Sequence, residues 1–107
     1  MDLYTELQEK QDELNMAIKE LRLAGQKSAK ADTDYRVKVA QATLRLKAQG
    51  CAVGLIDKVI YDDDDVADAL FERNLSEVMY KASQEEVNAL KLKIKTIDSQ
   101  LTREYGR

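Results

Sequence analysis

The sequence predicts an all-α protein: a long antiparallel helical hairpin with a short helix at its tip, assembling as a dimeric helical bundle. Of its 107 residues, 35% are charged and only 6% aromatic, with no Pro and no Trp. This composition is typical of long helices and coiled coils. Apolar residues recur at helical spacing on both sides of one central break, and blocks of opposite charge alternate along the chain. At this length, we expect the chain to form a single domain, residues 1–107.

A long helix, or two nearly collinear helices, is predicted for about residues 2–49. Asp2 can cap its start. Gly25 disfavours helix by about 1 kcal/mol relative to Ala, so the sequence does not decide between a continuous helix and a break near this residue. Acid–base pairs at a spacing of four residues support the helix: Glu6 and Lys10, Asp32 and Arg36, Asp34 and Lys38.

The apolar residues of this first helix form one stripe. They are Leu3, Leu7, Leu14, Ala17, Ile18, Leu21, Ala24, Ala31, Tyr35, Val39, Ala42 and Leu46.

The stretch AQGCAVGLIDKVIYDDDD contains the central break. Gly50 suits the position after a helix, where φ is positive. A short tip helix is predicted for about residues 53–61, and its apolar side chains are expected to be buried. In one interpretation Val53, Ile56 and Ile60 close the end of the bundle while Leu55 and Val59 contact a dimer mate. In the other, the apolar tip is a docking patch for another protein.

A second long helix is predicted for about residues 66–105. At 1.5 Å per residue it would be roughly 60 Å long, and so needs a neighbour along its length. Phe71 and Tyr80 are expected in the seam with that neighbour. The other apolar residues at helical spacing are Leu70, Leu75, Val78, Ala82, Leu90, Ile94, Ile97 and Leu101.

Charge is distributed in four blocks. Residues 1–20 carry a net −4, residues 21–56 +5, residues 57–86 −7 and residues 87–107 +3. If the chain folds back between residues 50 and 65, each block lies beside one of opposite sign. This pattern favours an antiparallel hairpin over an extended rod. Because two helices bury one seam each, we expect a homodimeric four-helix bundle, or else an N-terminal stretch that folds back as a third helix.

Several classes of function lack the residues they need. The absence of His excludes His-dependent proton transfer and His metal ligation, and a lone Cys51 cannot build a common zinc site. No Gly-rich phosphate-binding motif occurs. We therefore expect no enzymatic activity, no catalytic residue, no cofactor and no resident metal. The first residues do not resemble a signal peptide, and no apolar run could span a bilayer, so a cytoplasmic protein without membrane contact is expected.

The aspartate run Asp62 to Asp65 has several interpretations. A calcium loop fails because Val66, Ala67 and Arg73 occupy positions that should hold a ligand, a Gly and a Glu. The favoured interpretation is helix initiation, with Asp65 and Asp68 as a capping box. Together with the apolar tip, the run could also contact a partner. That predicted set is Val53, Leu55, Ile56, Val59, Asp62, Asp63, Asp64 and Asp65.

The spacing around the break also resembles a helix-turn-helix. A recognition helix presents its first turn to DNA, however, and here that turn would begin with carboxylates that phosphates repel. Direct binding of nucleic acid is therefore disfavoured. A basic face on the preceding helix is expected to pair with the acidic block: Arg36, Lys38, Arg45 and Lys47.

Two stretches, DYRVKVAQATLRLKAQGCAVGLIDKVIY and FERNLSEVMYKASQEEVNALKLKIKTIDSQLTREYGR, resemble a group of uncharacterised small helical proteins of Gram-positive bacteriophages and prophages. That group is often encoded among early replication and recombination genes, and the resemblance covers about residues 15–107. The shared positions are Asp34, Tyr35, Gly50, Arg73, Tyr80, Asn88, Lys91, Arg103, Glu104, Tyr105 and Gly106.

The resemblance implies a phage accessory protein in the cytoplasm of the infected host. It would act on a phage or host protein as an adaptor or modulator of DNA replication or recombination. The alternative is an inhibitor of a host nucleic-acid enzyme or defence nuclease, behaving as an anti-CRISPR or DNA mimic through its acidic tip.

Overall fold

The computed structural model describes residues 2–105, and over this range its regular structure is entirely helical. Helix α1 spans Leu3–Ala48 and continues through Gly25 without a break. Helix α2 spans Val53–Val59 and is followed by a 3₁₀ turn, Ile60–Asp62. Helix α3 spans Asp64–Tyr105. The predicted all-α helical hairpin with a short helix between its long helices is confirmed.

The chain divides into two compact units, with boundaries after Ala24 on α1 and after Val78 on α3. The first unit pairs the start of α1 with the end of α3. The second unit contains the rest of α1, α2, the 3₁₀ turn and the start of α3. Each unit has its own apolar core.

Buried and half-buried residues follow each other at alternating steps of three and four along both long helices. This is the heptad spacing of a coiled-coil seam. On α1 the seam residues are Leu3, Leu7, Lys10, Leu14, Ala17, Leu21, Ala24, Ser28, Ala31, Tyr35, Lys38 and Ala42. On α3 they are Val66, Ala69, Arg73, Ser76, Tyr80, Ser83, Val87, Leu90, Ile94, Ile97 and Leu101.

The core of the first unit forms around Ala17, Val87 and Leu90, with Leu14 and Leu21 among the side chains packed against it. Near the chain ends the rings of Tyr4 and Tyr105 lie 5.9 Å apart, centroid to centroid. At the start of α1 the Thr5 N–H donates to Asp2 Oδ1 at 2.8 Å, so the predicted Asp2 cap is confirmed. This bond lowers the pKa of the Asp2 carboxyl.

The core of the second unit joins α2 to both long helices. Ile56 of α2 and Ile60 of the 3₁₀ turn are buried against Ala42 of α1 and Val66 of α3. The Val66 side chain has no exposed surface. The half-buried residues around this cluster are Tyr35, Val39, Leu46 and Cys51.

The apolar residues predicted to face the seam are correct for α1 and wrong for part of α3. Phe71, Leu75 and Val78 are 63%, 42% and 62% exposed, and Ala82 is also exposed. The seam instead uses residues such as Arg73, two positions from Phe71 and Leu75. The prediction failed because α3 carries apolar residues on two opposite faces, and polar residues hold part of the inner one.

Helix α1 ends in a Schellman motif at Gly50, which has a φ of +85°. The Cys51 N–H donates to the Leu46 carbonyl and the Gly50 N–H to the Lys47 carbonyl, both at 3.0 Å. These bonds satisfy carbonyls that a helix end otherwise leaves free. The prediction of a positive φ at Gly50 is confirmed, and this residue turns the chain from α1 towards α2.

We predict that Gly50→Ala lowers the free energy of unfolding by about 1 kcal/mol, because an L side chain is strained at this φ. A Cβ would meet nothing within 4 Å there, so the loss reflects backbone strain alone. Gly54→Ala is a matched control, since Gly54 lies inside α2 with equally open space. It should leave stability unchanged or raise it by up to ~1 kcal/mol in urea unfolding. Equal losses in both variants would contradict the Schellman account.

Candidate partner-binding site at the hairpin tip

Helix α2 divides the predicted apolar tip into a buried and an exposed part. Ile56 is 4% exposed, which removes it from the residues a partner could touch, and Val59 is half-buried. Val53 is 74% exposed and Leu55 50%. The expectation that Val53 closes the bundle is therefore wrong. As the first residue of α2, Val53 precedes the turn that carries Ile56 into the core.

Within the aspartate run, Asp63 caps α3 and pairs with Arg45. Its backbone is extended, with φ −71° and ψ 124°, directly before the first residue of α3. Its Oδ1 accepts the Val66 N–H at 3.1 Å, and its other carboxylate oxygen pairs with the Arg45 guanidinium. The prediction that the aspartate run starts α3 is correct, but the choice of Asp65 as the capping residue is wrong. Helix α3 begins two positions earlier than the apolar pattern suggests. The capping box of Asp65 and Asp68 is corrected to a single cap by Asp63.

The other carboxylates of the run remain exposed. Asp62, Asp64 and Asp65 are all exposed, as is Asp57 on α2. Asp64 and Asp65 lie in the first turn of α3, where negative charge favours the helix dipole. The tip therefore combines two exposed apolar side chains with a group of solvated carboxylates.

The predicted basic face is partly neutralised within the second unit. Arg36 Nε donates to Asp32 at 3.0 Å, which confirms that predicted pair, and Arg45 is bound to Asp63. Lys38 is half-buried, and Lys47 is exposed in the last turn of α1. Lys10 was predicted to pair with Glu6, but it pairs with Glu13 at 3.3 Å.

An open groove of about 610 Å³ lies between α1 and α3 within the second unit. Lys27, Lys30 and Lys38 line its α1 side, together with Asp34. Asp65, Asp68 and Glu72 line its α3 side, and Ala31 and Ala69 complete the lining. This arrangement follows the predicted meeting of the basic and acidic blocks. Since the walls carry opposite charges, the groove as a whole selects neither an anion nor a cation.

A polar network links three segments of the second unit, and sequence reasoning missed it. The Arg73 guanidinium lies 5.2 Å from the centroid of the Tyr35 ring, and its Nε donates to Asp32 Oδ1 at 2.9 Å. The hydroxyls of Tyr35 and Tyr61 are 3.2 Å apart. The sequence did contain a sign of this network, because Arg73 lies at helical spacing from the predicted seam residues. The hydrogen bond with Tyr61, followed by burial, raises the pKa of Tyr35.

Across residues 2–105 no three Cys, Asp or Glu side chains come together in a way that could hold a metal ion. In the same part of the chain, no helix combines the length and apolarity needed to cross a membrane.

Comparisons with protein-family models, with curated proteins and with solved structures find no match to this chain.

We predict that Asp63→Ala lowers the free energy of unfolding by about 1 kcal/mol or more, because it removes the α3 cap and the partner of Arg45. Asp64→Ala is the matched control, since this neighbour neither caps the helix nor holds Arg45. Its effect should be a few tenths of a kcal/mol. Urea unfolding of both variants measures the difference, and an equal effect would show that Asp63 is not the cap.

Stability at alkaline pH should depend on Tyr35. Because the folded state raises the Tyr35 pKa above its ordinary value of 10.0, the folded protein holds this proton more tightly than the unfolded chain. The stabilisation that Tyr35 contributes through this proton is complete below about pH 10 and is lost as the pH rises through the pKa of Tyr35 in the folded protein. Urea unfolding between pH 9 and 11 should therefore show a steeper loss for the natural chain than for Tyr35→Phe. Identical slopes would contradict the Tyr35–Tyr61 bond.

Proposed function

We propose that the protein is a non-enzymatic interaction protein and that the hairpin tip binds a partner protein. The observation that carries this proposal is the exposure of Val53 and Leu55 on a helix otherwise fixed to the core by Ile56. Large exposed apolar side chains beside polar groups are typical of protein interfaces. The exposed Asp62, Asp64 and Asp65 supply the charged surroundings.

The setting that we propose is phage infection, with the tip serving as adaptor or modulator of DNA replication or recombination in the host cytoplasm. Its support is the residue resemblance to small phage helical proteins. Arg45 and Arg36 already pair with carboxylates, which disfavours direct binding of DNA through this face.

A second candidate function is inhibition of a host nucleic-acid enzyme, such as a defence nuclease. The observation that favours it is the exposure of Asp62, Asp64 and Asp65. These carboxylates are exposed and do not cap α3, because Asp63 is the capping residue. Solvated carboxylates in a row can occupy a surface that normally receives phosphates.

Two sets of tip substitutions distinguish these functions. Val53→Ser with Leu55→Ser removes the apolar contact, whereas Ser at Asp62, Asp64 and Asp65 removes the carboxylates and preserves the Asp63 cap. Leu44→Ser is the matched control, since Leu44 is 68% exposed on α1 outside the tip. The measurement is quantitative mass spectrometry of proteins captured from infected cells, together with the Tm of each variant.

If the protein is an adaptor, we expect the apolar variant to capture at least tenfold less of the partner at an unchanged Tm, because apolar anchors usually dominate an interface. Loss in the carboxylate variant alone would favour the inhibitor. If neither variant loses a partner that Leu44→Ser retains, the tip is not the binding surface.

A further inference from the structure

Two tyrosine side chains of the second unit meet at the hydroxyl ends of their rings. Tyr35 belongs to α1 and Tyr61 to the 3₁₀ turn, and their hydroxyl oxygens are 3.2 Å apart. In each ring the ortho carbons are bonded to the carbon that carries the hydroxyl. The contact therefore brings the edges of the two rings together at the carbons where a tyrosyl radical holds much of its unpaired electron density.

The two rings differ in their access to a reagent in solution. Tyr61 is 50% exposed, whereas Tyr35 is half-buried. The Arg73 guanidinium also lies over the Tyr35 ring, 5.2 Å from its centroid. Because a cation at this position opposes the development of positive charge on the ring, it makes removal of an electron from Tyr35 harder. An oxidant in solution therefore takes its first electron from Tyr61.

The hydroxyl contact gives the oxidised Tyr61 a route to Tyr35. When Tyr61 loses an electron and its hydroxyl proton, a hydrogen atom can pass to its oxygen from the Tyr35 hydroxyl across the 3.2 Å between them. Tyr61 is thereby restored and can be oxidised a second time. Both rings are then neutral radicals in contact with each other.

We propose that Tyr35 and Tyr61 form an oxidation site, at which a peroxidase-type one-electron oxidant couples the two rings into an intramolecular dityrosine. Each tyrosine gives up one electron and one hydroxyl proton, and a carbon–carbon bond forms between one ortho carbon of each ring. The hydrogens on those carbons then move to the oxygens and restore both phenols. Hydrogen peroxide accepts the two electrons and two protons and leaves as two water molecules.

The link would join α1 covalently to the turn that precedes α3. It closes a loop that contains the end of α1 and the whole of α2, and a closed loop restricts the unfolded chain. Oxidation therefore fixes the tip to α1 and stabilises the second unit. The inference is independent of the function proposed for the tip, because the exposed Val53 and Leu55 take no part in it.

The first unit contains a second tyrosine pair, which the test must remove. The rings of Tyr4 and Tyr105 are 5.9 Å apart and are 62% and 68% exposed, so they too can be oxidised. The full-length chain with Tyr4→Phe and Tyr105→Phe keeps Tyr35, Tyr61 and the half-buried Tyr80. Tyr80 serves as an internal control for oxidation without this contact.

Peroxidase and hydrogen peroxide, applied to this chain at low micromolar concentration, should produce dityrosine fluorescence and a monomer that has lost two hydrogen atoms by intact mass. Trypsin should then release residues 31–36 joined to residues 59–73, the two peptides that contain Tyr35 and Tyr61. Tyr80→Phe should preserve the yield of this product. Tyr35→Phe and Tyr61→Phe should each lower it at least tenfold, with circular dichroism showing that the helices are retained.

Oxidation in urea distinguishes a contact in the fold from general tyrosine reactivity. Unfolding separates the two hydroxyls, so the same chain should yield at least tenfold less of the joined peptide in urea that unfolds it. An equal yield in urea would overturn the proposal. So would a folded chain that forms no link, links only between two chains, or links mainly through Tyr80.

Discussion

The contact of Arg73 with Tyr35 and Asp32, together with the buried Val66, fixes which face of α3 meets α1 in the second unit. The guanidinium occupies a seam position, over the Tyr35 ring and hydrogen-bonded to the Asp32 carboxylate. Asp32 and Arg73 are both more than one third exposed, so the ion pair contributes no more than ~1 kcal/mol, and the ring contact roughly 0.5–1 kcal/mol. Since Arg73 points towards α1, Phe71 and Leu75 must point away.

The same orientation positions the rest of the tip. With Val66 buried beneath α2, Asp63 lies one turn earlier, where its carboxylate reaches both the Val66 N–H and Arg45. Asp65 and Asp68 then line the groove that faces the lysines of α1. The aspartate run is thereby divided between one residue that starts a helix and others that remain available to solvent. This division allows the tip to present charge without weakening the start of α3.

The sequence predicted α1 well because the apolar residues at helical spacing, from Leu3 to Leu46, are all buried or half-buried. Gly50 was also predictable, since few residues other than Gly tolerate a positive φ. The errors arose where two patterns overlap. On α3 the second stripe supplied Leu75 and Val78 at plausible helical spacing, while Arg73 and Ser76 in the true seam gave no apolar signal. At the tip, four successive aspartates made Asp63 and Asp65 equally good caps by residue type, so only the helix boundary could choose between them.

The most direct test of this account is the environment of the Tyr35 ring in solution. Nuclear Overhauser contacts from its ring protons should reach the side chain of Arg73 and the ring of Tyr61, and should not reach Phe71 or Leu75. Contacts from Tyr35 to Phe71 or Leu75 would show that α3 is rotated, and would contradict the seam between α1 and α3.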